Sequence, residues 1–266
     1  MVKGLYTAYT GMVNQMNRLD VLTNDLANSA TIGFKKEGAT TQSFDSMYSY
    51  RIKDSSSYFL DQQLGKVSLG AKIGENYTDY SQGSLTETEN DTDFAIGGSG
   101  FFAIAFTNKN GESSIKYTRD GQFVLDSDGY LRTKDGDYVL NQNGASNSNL
   151  SRNNYIRLDP AQPFTVDTSG NIYQNERSVG KIGVVDIQDY RYLEHYGENM
   201  YQLVDGGAVK DAEVEVYQGV VEQSNVNVVS EMVEMITVSR AYESNQKVIQ
   251  AIDETLDKAV NQIGRL

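Results

Sequence analysis

The chain has 266 residues, so its length allows one or two domains with a buried core. It contains no cysteine, which excludes disulfides, thiolate metal sites and cysteine nucleophiles. The net charge is −13 and residues 54–218 carry most of it, so a clustered basic surface for nucleic acid is not expected. The mean hydropathy is −0.49 and no apolar run reaches the roughly 18 residues of a membrane span, so no membrane insertion is expected.

Residues 1–34 are predicted to form an N-terminal assembly helix with no cleaved signal peptide before it. Large side chains recur there by fours and threes, with Thr23 as a polar member, which is the spacing of a heptad seam. After this helix, the run "NSATIG" is typical of a helix end, because Asn and Ser favour turns and Gly33 can adopt a left-handed conformation. The predicted seam consists of Leu5, Tyr9, Met12, Met16, Leu19 and Leu26.

The middle of the chain is predicted to form an extended connector, residues 35–80, followed by a central β domain, residues 81–217. The connector mixes Ser, Tyr, Gln and Gly with scattered apolar residues, and no period holds for long. The β domain contains the β-rich stretch "FAIGGSGFFAIAF" and Asp-Gly pairs at 120–121, 128–129 and 135–136. Asp-Gly pairs between aromatic and β-branched runs are typical of consecutive antiparallel hairpins.

Residues 218–266 are predicted to form a C-terminal assembly helix, from about 228 to 263, with Asn225 or Asn227 as its N-cap. An apolar seam in one helix usually belongs to an ordinary core, but two seams at opposite chain ends favour coiled-coil assembly between chains. The predicted fold is therefore α+β, mainly β, with a central antiparallel β domain flanked by coiled-coil-forming helices. The second seam consists of Met232, Met235, Val238, Tyr242, Asn245, Ile249, Ile252, Leu256, Ala259 and Ile263.

Three short patterns suggest chemistry but are explained by turns and loops. His195 is the only histidine, and no nucleophile motif lies near it. The stretch "GGSG" at 97–100 lacks the Lys-Ser/Thr of a phosphate loop, and "DSDG" at 126–129 lacks the later ligands of a calcium loop. We therefore predict no catalytic residue, no metal and no cofactor, and we do not expect an enzyme.

Three separated stretches resemble the bacterial flagellar rod and hook proteins, specifically the basal-body rod group. Near the N-terminus the matching stretches are "GLYTAYTGM" and "LDVLTNDLANSATIGFKK". In the body they are "GSLTETENDTDFAIGGSGFF" and "YTRDGQFVLDSDGYL", and residues 218–250 follow the family pattern almost position by position. Two departures are Asp25, where the motif Asn-Asn-Leu-Ala-Asn has Asn, and 92–94, where the family has Pro-Leu-Asp.

The resemblance implies a structural subunit of the flagellar basal body, exported unfolded through the flagellar type III apparatus. It implies a helical homopolymer that contacts neighbouring rod and hook subunits, with paired terminal helices inside and the β domain outside. Such a shaft transmits motor torque to the hook. The motif residues implied to mark the point where the chain leaves the inner tube are Asn28, Thr31, Gly33, Phe34 and Lys35.

Two other functions remain open on the residues alone. The 18 tyrosines allow a secreted β-domain adhesin or glycan-binding module in which the terminal helices form a coiled-coil stalk. The 36 carboxylates allow a hydrolase with paired acids, which would need a cleft with perturbed carboxyl groups.

Overall fold

The structure, a computed structural model, describes residues 2–51, 62–147, 150–197 and 199–263. The chain divides into two compact units. The helical unit comprises Met1–Ala27, Lys36–Asp79 and Val226–Leu266, and the β unit comprises Asn28–Lys35 and Tyr80–Asn225. Each unit therefore combines segments that are far apart in the sequence.

The helices described are α1 (Val2–Ala27), α2 (Gln142–Ser146) and α3 (Val228–Lys258), which continues as a π-helical turn, Ala259–Ile263. Short 3-10 helices cover Arg152–Asn154 and Tyr190–Tyr192. Two sequence predictions are confirmed here. α1 ends at Ala27, just before "NSATIG", and Asn227 is the N-cap of α3, because its side chain accepts hydrogen bonds from the backbone N–H groups of Val229 and Ser230.

Twenty strands are described, and their pairings are all antiparallel. In chain order they are β1 (Glu37–Ser43), β2 (Met47–Arg51), β3 (Gln62–Val67), β4 (Ala71–Thr78), β5 (Leu85–Glu87), β6 (Phe94–Gly97), β7 (Phe101–Thr107), β8 (Ser113–Thr118), β9 (Phe123–Leu125), β10 (Leu131–Thr133), β11 (Tyr138–Val139), β12 (Phe164–Val166), β13 (Asn171–Gln174), β14 (Arg177–Lys181), β15 (Val184–Ile187), β16 (Leu193–His195), β17 (Met200–Leu203), β18 (Val209–Asp211), β19 (Glu215–Gln218) and β20 (Val220–Glu222).

The helical unit contains two strand pairs, β1 with β4 and β2 with β3. The sequence predicts an extended connector over residues 35–80, and the described part of this range instead forms these four strands. Residues 52–61 lie outside the described part. Ser, Thr, Gln and Gly fill much of β1, so the strand lacks the alternating apolar pattern that would have identified it.

The β unit is built around a nine-stranded sheet with β7 at its centre. β7 pairs with β8 on one side, and with β11 and β15 at different residues on the other. Consecutive side chains of a strand point to opposite faces of the sheet, and the first five residues of β7 are all buried, so β7 is buried on both faces. Phe102 packs edge-to-face on Phe123 at 5.3 Å, while Phe101 packs on Tyr201 at 5.6 Å in a second cluster.

Two of the three predicted Asp-Gly hairpins are confirmed. The pair at 128–129 joins β9 to β10 and the pair at 135–136 joins β10 to β11, and each turn places its glycine at a positive φ. The prediction for 120–121 is wrong, since β8 and β9 are not neighbours in the sheet. Gly121 instead accepts a hydrogen bond from the backbone N–H of Phe94, and its position leaves no room for a Cβ beside the Phe94 carbonyl.

Candidate assembly site

The face that α1 turns toward α3 includes two glycines. A Cβ added to Gly4 would lie 3.9 Å from Cδ1 of Ile252, and one added to Gly11 would lie 3.1 Å from Nδ2 of Asn245. Ala8 and Leu22 are buried, and they share a heptad stripe with the two glycines. The two helices therefore approach closely along a stripe that precedes the predicted seam of α1 by one residue.

The predicted seam of α1 is consequently left partly in solvent. Tyr9 is 54% exposed and Met16 is 47% exposed, and both are large apolar side chains. The remaining seam residues of α1, Leu5, Met12, Leu19 and Leu26, are half-buried.

The predicted seam of α3 is divided in a similar way. Val238 is buried, and Met232 and Leu256 are exposed. The structure brings Asn245 and Ile252 of this seam against α1. The half-buried members are Met235, Tyr242, Asn245, Ile249, Ile252 and Ala259, and nothing is described of the side chain of Ile263.

A second apolar face of α3 was missed by the sequence analysis. Val229 is 71% exposed, Val233 is 60% exposed, and Ile236 follows on the same face at i, i+4, i+7 spacing. Val229 and Val233 line an open groove of about 580 Å³, together with Gln15 and Arg18 of α1. The helical spacing of these three apolar residues could have identified this face. The neighbouring heptad seam already explained the helical pattern, so the second face was not predicted.

The motif residues 28–35 form a packed joint within the β unit. The backbone N–H of Gly33 donates to the Glu222 carbonyl at 2.7 Å, and Gly33 has φ +70°. A Cβ on Gly33 would lie 2.5 Å from the backbone of Arg119, so the close approach itself requires glycine. Phe34 is buried, and Asn28 and Thr31 close the preceding turn through a backbone hydrogen bond of 3.1 Å.

Lys35, Glu222 and Arg119 form a buried ion network in this joint. Lys35 Nζ donates to Glu222 Oε1 at 2.5 Å and to the Ser81 carbonyl at 2.7 Å. Arg119 Nη1 donates to Glu222 Oε2 at 2.9 Å, while its Nη2 donates to the Gly98 carbonyl. All three charged side chains are at most 2% exposed. One carboxylate therefore neutralises one of two buried cations, and both of its oxygens are bound.

A second polar cluster lies in the helical unit, near the end of α1 and the start of α3. Lys36 Nζ donates to Glu231 Oε1 at 2.5 Å, and the backbone N–H of Glu37 donates to Asp25 Oδ1 at 3.1 Å. Arg18 pairs with Glu234 at 2.7 Å, which links α1 to α3 at a part-exposed position. Burial, followed by the neighbouring Glu231 charge, raises the pKa of Asp25 to about 6, although its backbone hydrogen bond opposes the shift.

The described residues contain no group of three or more acidic or histidine side chains that could hold a metal ion. Among the same residues, none of the helices has the length and apolarity to cross a membrane.

Comparison with known families identifies two regions of the chain. Residues 217–263 match the model described as flagellar basal body rod FlgEFG protein C-terminal. Residues 95–174 match the model described as flagellar hook protein FlgE/F/G D1 domain. The first region covers β20 and all of α3, and the second covers β7 and the confirmed hairpins.

Similar proteins extend the match over nearly the whole chain. The flagellar basal-body rod protein FlgG of Buchnera aphidicola subsp. Schizaphis graminum is 33% identical, over 97% of this chain and 98% of that protein. The flagellar hook-basal body complex protein FlhO of Bacillus subtilis is 33% identical over 100% of both. The flagellar basal-body rod protein FlgF of Caulobacter vibrioides is 32% identical, over 97% and 98%. The chain therefore belongs to the flagellar basal-body rod proteins, a family of structural components of the flagellar basal body and not of enzymes.

Proposed function

We propose that this rod protein polymerises helically through coiled-coil packing of α1 and α3 between copies. The observation that carries the proposal is the set of large apolar side chains exposed along both helices. Within one chain, α1 approaches α3 closely at Gly4 and Gly11, and the seam residues Tyr9, Met16 and Met232 remain exposed and available to a neighbouring copy. Exposed apolar surface of this extent is typical of a protein–protein interface.

The proposed polymer is a shaft that transmits torque to the hook, and its neighbours are further rod and hook subunits. Long helices suit this role, since 26 and 31 residues give lengths of about 39 and 46 Å at 1.5 Å per residue. The ion network around Glu222 adds to the case, because it fixes both residues 28–35 and β20 on the β unit. Residues 28–35 follow α1 in the chain, and β20 precedes α3.

We further propose export through the flagellar type III apparatus in an unfolded form. A chain without cysteine cannot form disulfides during transit. The chain passes four times between the two units, so each unit needs segments that are far apart in the sequence. We therefore expect folding to be completed only after the whole chain has been exported.

Electron microscopy of concentrated protein tests the polymer proposal. The full-length chain is compared with a fragment of residues 28–225, which lacks α1 and α3 and retains the joint around Glu222. We expect ordered tubes or fibres from the full-length chain alone. The same polymer from the fragment would show that the interface lies outside α1 and α3, and glycan binding by the β unit would then be the next measurement.

A further inference from the structure

Two buried carboxyl groups in the helical unit are incompletely hydrogen-bonded. Asp25, near the end of α1, is 0% exposed, and Glu231, in the first turn of α3, is 1% exposed. Oδ2 of Asp25 and Oε2 of Glu231 are both buried, and neither has a hydrogen-bond partner among the described residues. A buried oxygen that accepts no hydrogen bond is costly, especially when it belongs to an ionised group.

The charges around the two carboxyl groups do not balance. Consecutive residues hold the other oxygen of each group, Lys36 through its Nζ and Glu37 through its backbone N–H. Lys36 is the cation that binds Glu231, and the carboxylates of Glu37 and Glu234 add negative charge nearby. Arg18 of α1 does not add a free positive charge, because it is already paired with Glu234 of α3. One lysine thus faces two buried carboxyl groups, which disfavours the ionised form of both together.

We propose that Asp25 and Glu231 form a proton switch that joins α1, α3 and β1 when the pair holds one proton and loosens them when that proton is lost. A proton on Asp25 converts its unpartnered Oδ2 from an acceptor into a donor. It also removes one of the two buried negative charges, while Lys36 continues to neutralise Glu231. Loss of the proton leaves two buried carboxylates with one close cation.

The direction of the pH dependence follows from the ionisation of Asp25. Burial and the Glu231 charge raise the pKa of Asp25 from 3.8 to about 6 in the folded chain. Between these values the folded state holds a proton that the unfolded state has released. The stabilising effect is therefore complete below pH 3.8, falls as pH rises toward 6, and stays lost above that value. The switch is a property of the helical unit alone and does not depend on polymerisation.

The test compares the full-length chain with its Asp25→Asn variant, because asparagine offers a donor that cannot ionise. Urea unfolding is followed by circular dichroism at 222 nm at pH 5.0 and pH 7.5. The wild-type chain is expected to lose about tenfold in its folding equilibrium constant over this range relative to Asp25→Asn, from the linkage of a single group with these two pKa values. Asp20→Asn, at an exposed position of the same helix, should retain the wild-type pH dependence.

A direct titration keeps the proposal open to refutation if Asp25→Asn fails to fold. The carboxyl carbon of Asp25 is followed by NMR in wild-type protein with 13C-labelled aspartate, assigned by the Asp25→Glu variant or by sequential resonances. A midpoint near pH 6 supports the switch. A midpoint below about 4.5, or equal pH dependence of the wild-type chain and Asp25→Asn, would overturn it.

Discussion

The two units bury very different material. In the β unit, aromatic and aliphatic side chains such as Phe94, Phe101 and Ile172 are fully enclosed. In the described part of the helical unit, the buried apolar side chains are only Ala8, Leu22, Val226 and Val238, while most of the exposed large apolar side chains of the chain lie there. The β unit thus completes a core by itself, whereas the helical unit presents surface that further copies can cover.

Buried charge shows the same contrast. Glu222 in the β unit binds Lys35 and Arg119 and also accepts the backbone N–H of Gly83 at 2.9 Å. In the helical unit, by contrast, Asp25 and Glu231 each keep one unpartnered oxygen. The β unit is thus held by a network whose carboxylate has both oxygens bound, whereas the proposed proton switch makes the stability of the helical unit depend on pH.

The largest expected effect on folding comes from a fragment that omits residues 28–35 and β20. A fragment of residues 28–225 should fold, whereas a fragment of residues 81–217 should not, although the sequence predicts the latter as the β domain. The shorter fragment lacks Glu222 and Lys35, so Arg119 would be buried without its carboxylate, and it also loses buried Phe34 and Val221. Urea unfolding followed by tyrosine fluorescence distinguishes the two. Equal midpoints would show that the joint adds nothing to the β unit.

Removing the negative charge from the ion network should also destabilise the β unit strongly. Glu222→Gln leaves two buried cations without a charge partner, and we expect a loss of about 3–5 kcal/mol in the free energy of unfolding of the β unit. The matched control is Glu194→Gln at an exposed position of β16, which should change it by no more than about 0.5 kcal/mol. Similar small losses for both variants would contradict the account of the joint.

A change on the exposed seam should affect assembly and spare the fold. Met16→Asp would place a carboxylate in the proposed interface at a cost of about 2–3 kcal/mol, which raises the concentration needed for polymer by roughly a hundredfold. The control is Thr7→Asp, because nine residues along α1 turn the side chain to the opposite face. Sedimentation of both variants and of wild type measures the effect. An unchanged threshold for Met16→Asp would place the seam outside the interface.

The smallest expected effect lies at the start of α3. Asn227→Ala removes the side-chain acceptor for two backbone N–H groups, so the helical unit should lose about 1 kcal/mol. Asn227→Gly should lose only a few tenths of a kcal/mol, because glycine tolerates the cap conformation. Circular dichroism during urea unfolding measures the difference. An equal loss for the two variants would show that the cap hydrogen bonds are unimportant.

Local signals in the sequence predicted local features well. The turn residues after Ala27 mark the end of α1, Asn227 caps α3, and two Asp-Gly pairs form hairpins, since each depends on a few consecutive residues. The polar strands β1 and β4 carry no such signal. Their pairing with each other, and not an alternating apolar pattern, defines them.

Features that depend on distant residues could not be predicted. Lys35 was singled out as a motif residue, but its partner Glu222 lies 187 positions away and no spacing rule connects them. On α1, hydrophobic periodicity selected the large residues Tyr9 and Met16, whereas close helix approach selected Gly4 and Gly11. The periodic pattern predicts an apolar face for coiled-coil assembly between chains, and that assignment stays a prediction.

The reactivity of single thiols tests the assembly surface most directly, because the chain has no cysteine of its own. Met16→Cys and Val124→Cys variants, the second exposed on the β unit, are treated with a maleimide as purified chains and in flagellar basal bodies isolated from cells that express them. The account predicts that the thiol at position 16 reacts in the free chain and is protected in the basal body. The thiol at position 124 should react in the free chain, and its reactivity in the basal body is the reference for the reactivity at position 16. Equal reactivity at position 16 in the free chain and the basal body would contradict the proposal that the terminal helices form the interface between copies.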